Sequence, residues 1–192
     1  TIAVATNDNY DTEPATAAAI GGEKTFTLTF KTQTSTGRVT AADTDAAAPL
    51  LTGATSPFVV VQASRAVALQ LVAPGETHVE GFGKSLTDPP APQVAGSTFT
   101  VTVYLVDAYG NQNNYDTQPL IHVNTSDLYD TEPATAPTVS GSLTVNVTLL
   151  QGNTTSTLQA VSVSPSTYAA SGVVSIYANE DAVTNKLLQV MP

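Results

Sequence analysis

The strongest constraint on what this chain can fold into is a duplication readable letter by letter. Tyr10-Asp11-Thr12-Glu13-Pro14-Ala15-Thr16 recurs as Tyr129-Asp130-Thr131-Glu132-Pro133-Ala134-Thr135, an offset of 119 residues. The flanks stay in register: Ile2 and Val4 match Ile121 and Val123, Gly22 matches Gly141, and Phe26, Leu28 and Phe30 match Val145, Val147 and Leu149. A second match sets Ala68-Leu69-Gln70-Leu71-Val72-Ala73-Pro74 against Lys186-Leu187-Leu188-Gln189-Val190-Met191-Pro192, an offset of 118. Self-similarity at a fixed period is the signature of an array of supersecondary units. With this period, 192 residues cover about one and a half units, and the chain is expected to begin inside one copy and stop as a third opens, a slice of a longer polypeptide.

Within each copy the apolar residues alternate with polar ones, the period of a strand with one buried face. Residues 25 to 30 place Phe26, Leu28 and Phe30 on one side and threonines on the other, and residues 99 to 106, 143 to 149 and 173 to 177 behave alike. Turn signals separate them at Gly21-Gly22, Thr36-Gly37, Ala95-Gly96, Tyr109-Gly110-Asn111, Ser140-Gly141 and Gln151-Gly152-Asn153. Val and Thr supply a strand vocabulary, and the Ala-rich pieces 15 to 19 and 41 to 48 are too interrupted for more than a turn of helix. The expected fold is all-β: tandem immunoglobulin-like antiparallel β-sandwiches. Residues 1 to 62 read as the C-terminal half of one repeat, residues 65 to 178 as one complete repeat, and residues 180 to 192 as the start of the next. Half a sandwich exposes a core face and unpaired edges, so other strands must complete it.

Three stretches of the complete repeat carry a family resemblance: Pro74-Gly75-Glu76-Thr77, then residues 95 to 103 (AGSTFTVTV), then Asp107-Ala108-Tyr109-Gly110-Asn111. Together they resemble the bacterial immunoglobulin-like repeats of very long surface proteins, and the D-x-x-G-N strand end is similar to invasin-type and filamin-type repeats. The resemblance implies an extracellular or cell-surface module whose partners are neighbouring copies of itself, on the same chain or between subunits. The expected function is a structural repeat of a fibre, stalk or surface layer. An adhesin stalk presenting a distal binding domain, and an accessory module of a secreted glycan-degrading enzyme, are the alternatives.

The remaining residues exclude more than they assign. Sixteen acidic against six basic side chains give a net charge of -10, a field that repels nucleic acid. No apolar run is long enough to span a membrane. With no cysteine, disulfides, thiolate metal sites and a Cys nucleophile are ruled out. His78 and His122 have no second histidine at ligand spacing, His122 lies in an alternating strand and should face solvent, and no hydrolase or nucleotide-binding motif occurs, so no enzyme is expected. Asn124, Asn146 and Asn153 begin N-x-[ST] sequons.

Acidic and amide residues gather at turns: Asp8, Asp11 and Glu13; Asp107, Asn111, Asn113 and Asp116; Asp127, Asp130 and Glu132. Hard oxygen ligands at short spacing suit Ca²⁺, and on this reading Asp107, Asn111, Asp116, Asp127, Asp130 and Glu132 are the metal-ligand candidates; no other cofactor is expected. None of the clusters has the twelve-residue EF-hand spacing, and Asp and Asn are also the commonest turn residues because they bond local backbone groups. At Asp107 the turn reading has its carboxylate accept N–H groups of the turn that follows. Tyr10, Tyr109, Tyr115 and Tyr129 stand among these turns, suited either to plug the ends of a sandwich or to meet a partner.

Overall fold

The computed structural model describes residues 1–45 and 51–180. Among them there is no helix, so none long and apolar enough to cross a membrane. The first 62 residues hold β1 (Ile2–Thr6), β2 (Thr34–Gly37), β3 (Val39–Asp43), β4 (Ala54–Thr55) and β5 (Val59–Val61). The rest holds β6 (Ala68–Val72), β7 (His78–Val79), β8 (Gly83–Lys84), β9 (Gln93–Val94), β10 (Thr98–Val106), β11 (Leu120–Thr125), β12 (Ala136–Pro137), β13 (Ser142–Thr148), β14 (Thr154–Ser164) and β15 (Val174–Asn179).

Two sheets of the second group face each other. One has the order β13-β10-β6 and the other β12-β11-β14-β15-β9. All pairs are antiparallel except β15 with β9. Alternate residues turn inward from both layers: Phe99, Val101, Val103 and Leu105 from β10; Leu69 and Leu71 from β6; Ile121 and Val123 from β11; Leu158 and Ala160 from β14; Val174, Ile176 and Ala178 from β15. This is the packing of a β-sandwich, with apolar residues in and Thr, Ser and Asn out. Every member of the buried core falls between Ala66 and Ala178.

The N-terminal segment repeats part of this frame. β1 pairs with β3 so that Ile2 faces Asp43 and Thr6 faces Val39. At an offset of 119, β11 pairs with β14 so that Ile121 faces Ser162 and Thr125 faces Leu158. The register is the same, but the burial differs. Ile121, Val123, Leu158, Ala160, Val145, Val147 and Leu149 are in the core. Their counterparts Ile2, Val4, Val39, Ala41, Phe26, Leu28 and Phe30 are only half-buried. The set around Ile121 lies in a sandwich closed by β10 and β6, and among the described residues the set around Ile2 has no counterpart of that strand pair.

Three local expectations are corrected. Residues 25 to 30 keep their alternation of half-buried and exposed side chains but do not form a strand. A strand is defined by a hydrogen-bonded neighbour, which β13 has in β10 and residues 25 to 30 lack. Thr36-Gly37 is not a turn but the end of β2. Gly37 is buried there, and a Cβ would stand 2.8 Å from the Val59 carbonyl oxygen, so the close approach of the two strands favours glycine. Residues 41 to 43 belong to β3 rather than to a helical turn, drawn into the sheet by β1. The expected match over residues 186 to 192, like the opening of a third copy, lies outside the described residues.

Candidate functional site

The acidic turns are where the two parts of the chain are tied together, and the duplicated block shows how each turn is built. Thr6 N donates to Glu13 Oε1 at 2.7 Å and its Oγ1 to Asp11 at 2.6 Å. Asp8 accepts Tyr10 N at 3.0 Å, Lys31 N at 2.6 Å and Thr32 N at 2.7 Å. In the second copy Thr125 N donates to Glu132 Oε1 at 2.9 Å and its Oγ1 to Asp130 at 2.6 Å. Asp127 accepts Tyr129 N at 3.0 Å, Leu150 N at 2.6 Å and Gln151 N at 2.8 Å. Asp8, Glu13, Asp127 and Glu132 satisfy backbone donors that a loop cannot pair in a sheet, Asp11 and Asp130 hold the threonine hydroxyls, and the duplicated block with its preceding Asp is a hydrogen-bonding specification.

Asp107, at the end of β10, does the same for the turn after it. Its buried carboxylate accepts Tyr109 N at 2.8 Å and Asn111 N at 3.0 Å on Oδ1, and Ser64 N at 2.8 Å on Oδ2. Asn111 Nδ2 lies 3.0 Å from Asp107 Oδ2. Asn113 and Asp116 hold the entry to β6 from the other side: Asn113 Nδ2 donates to the Ser64 carbonyl at 2.6 Å, and Ala66 N donates to Asp116 at 2.7 Å. Loop 107 to 116 therefore clamps residues 64 to 66, where the N-terminal segment passes into the sandwich.

Asn111 also reaches across to that segment. Its Nδ2 donates to the Lys31 carbonyl at 2.7 Å, and its Oδ1 accepts Gln33 N at 2.9 Å. Beside this pair the Tyr10 ring stacks on Phe82, with centroids 5.2 Å apart and planes 21° from parallel. Gly81 has φ +79, and a Cβ there would lie 2.2 Å from Thr32 Oγ1 and 2.9 Å from Thr32 Cα, so only glycine admits this approach. Asn9, Tyr10, Lys31, Gly81, Phe82 and Tyr109 are among the residues lining a cleft along the seam.

The six calcium-ligand candidates thus divide between two loops, Asp107, Asn111 and Asp116 on one and Asp127, Asp130 and Glu132 on the other, with oxygens engaged by backbone and hydroxyl donors. Among the described residues no group of three or more His, Cys, Asp or Glu side chains is placed to hold a metal ion. His122 sits on the face of β11 away from the core but is half-buried, not fully exposed. His78 stacks on Tyr104 at 4.3 Å and bonds Gln70 through Nδ1. Of the tyrosines, Tyr10 is half-buried at the seam, whereas Tyr109, Tyr115 and Tyr129 are exposed and plug nothing. Phe82, Gly81 and Gln33 carry no sequence signal of their own. Only the tyrosine in a duplicated polar loop hinted that a second surface comes to meet it.

Burial by itself would raise the carboxyls of Asp8, Asp107 and Asp127. The hydrogen bonds they accept outweigh that and hold all three below the usual carboxylate range. With folded values below unfolded ones, protonation favours the unfolded chain. The stability these groups contribute is fully present above the ordinary range, about pH 4, and is lost as pH falls through the lowered folded values. Thermal melts between pH 7 and pH 2 are expected to hold a level Tm down to about pH 5 and then drop steeply; a Tm still level at pH 2 would contradict the assignment.

No protein-family model and no curated protein matches this sequence. Among solved structures, a glycosyl hydrolase family 2 member from Bacteroides cellulosilyticus aligns over 75% of this chain, with 16% identity and a TM-score of 0.42. The chain spans 17% of that protein, and a likeness this loose carries no argument about fold or function.

Proposed function

We propose that the chain is a run of tandem immunoglobulin-like repeats whose work is mechanical: a structural module of an extracellular fibre, stalk or surface layer. The observation that supports the reading is the contrast between the copies. Residues 1 to 62 repeat the register of β11 with β14 and the loop chemistry of Asp127, yet their inward-facing residues are half-exposed where the second copy's are buried. The strands that would cover them are equivalents of β6 and β10, the opening half of the same repeat. Modules strung in tandem act in series, each touching only its neighbours. The seam is built of side-chain bonds to backbone groups, a ring stack and a clamped entry segment, an arrangement suited to carrying load between modules. The extracellular setting rests on the resemblance of residues 74 to 112 to surface-protein repeats.

Immunogold labelling of the source cells with an antibody against this chain is the test. The expected result is gold on the cell surface or on filaments outside it. Label confined to the cell interior overturns the proposal.

A further inference from the structure

Resting on the tandem reading above, we propose that Tyr129 and the Leu150–Gly152 loop form the docking surface for the next copy of the repeat along the polypeptide. That copy would seat its Gly-Phe-Gly turn and its D-x-x-G-N turn there. The chain carries the template for this contact. In the N-terminal segment Tyr10 lies under Phe82, and Asn111 bridges the Lys31 carbonyl and the Gln33 N–H. At the offset of 119 these three positions are Tyr129, Leu150 and Gly152.

The second loop is presented in the same manner as the first, because Asp127 fixes it with the same bonds by which Asp8 fixes the other. Its recognition groups are open. Tyr129 is 67% exposed, its neighbour Leu128 is 87% exposed and Leu150 is 49% exposed. Among the described residues the Leu150 carbonyl and the Gly152 N–H have no hydrogen-bond partner.

The chemistry explains which residues recur and which drift. Asn111 reads backbone groups alone, so Lys31 can become Leu150 and Gln33 can become Gly152 without loss of the bridge. The ring stack needs an aromatic side chain, and Tyr is retained. Asn9 becomes Leu128, which adds apolar surface beside the ring rather than removing it. The occupant is a following repeat rather than a second free copy of this chain, since the Phe82 and Asn111 face of such a copy is already covered by its own residues 10 and 31 to 33.

The full chain extended after Pro192 by a second copy of residues 75 to 180 supplies that occupant, because Lys186–Pro192 aligns with Ala68–Pro74. Hydrogen exchange at Gly152 N–H is expected to slow by about tenfold or more on extension. Asn111→Ala in the appended copy should reverse the protection, and so should Phe82→Ala there. If the appended copy folds and exchange at Gly152 does not change, the docking surface is refuted while the tandem reading stands. If the appended copy does not fold, with no new protected amides in residues 75 to 180 of that copy, both fall together.

Discussion

Leu149→Ala is expected to destabilise the protein by about 3 kcal/mol, while the same truncation at Phe30, its counterpart 119 residues earlier, costs less than about 1 kcal/mol. Leu149 is 1% exposed and packed in the core cluster of the sandwich. Removing its side chain leaves a cavity that both sheets would have to collapse to fill, so the transfer and cavity terms add. Phe30 occupies the same place in its copy but is only half-buried, with one ring edge toward Gly37 and, among the described residues, no sheet over it. A truncated ring there leaves a surface depression that water fills, although the deleted side chain is the larger one. Urea unfolding of both variants checks the pair: similar losses would mean that something covers Phe30, and the contrast behind the proposed function would be lost.

Asp107→Ala should cost about 3 kcal/mol, seen as a fall in Tm of about 10 °C. The carboxylate is 3% exposed and accepts N–H groups from Ser64, Tyr109 and Asn111. Alanine leaves these donors without an acceptor in a site closed to water, and unmet buried groups cost more than a formed hydrogen bond contributes. It also frees Asn111, whose side chain is oriented by Asp107 and itself bonds Lys31 and Gln33 across the seam. The damage therefore spreads from the turn to the junction. Asp107→Asn keeps one acceptor oxygen and should lose about half as much. Differential scanning calorimetry on the two variants tests this, and an unchanged Tm for Asp107→Ala would refute the clamp.

Much of this architecture was legible because it depends on local properties. Alternation between Thr and apolar residues marked 99 to 106, 143 to 149 and 173 to 177, and β10, β13 and β15 lie there to within a residue or two. Turn residues act through their own φ and their own side-chain bonds, so Ala95-Gly96, Tyr109-Gly110-Asn111 and Ser140-Gly141 were readable as breaks. The acidic clusters were visible as well, with turn chemistry favoured over calcium by the residue types and the spacing. The same Asp spacing serves a cation or a backbone N–H, and the choice depends on what faces the oxygens.

What escaped the reading is non-local. Residues 25 to 30 have the pattern of a strand, yet a ladder needs a neighbour, and only the packing shows that β13 has one and they do not. Gly37 resembled a turn until the Val59 carbonyl was found against it. Tyr10 and Tyr129 stand in identical sequence, and one ring is stacked on Phe82 while the other is exposed. The period, the strand faces and the loops that cap their own backbone follow from each residue and its near neighbours, and so stand in the order of the amino acids. Which copy of a duplicated position is buried, and where the two parts of the chain meet, came from the packing alone, because burial and contact depend on what the rest of the chain brings alongside.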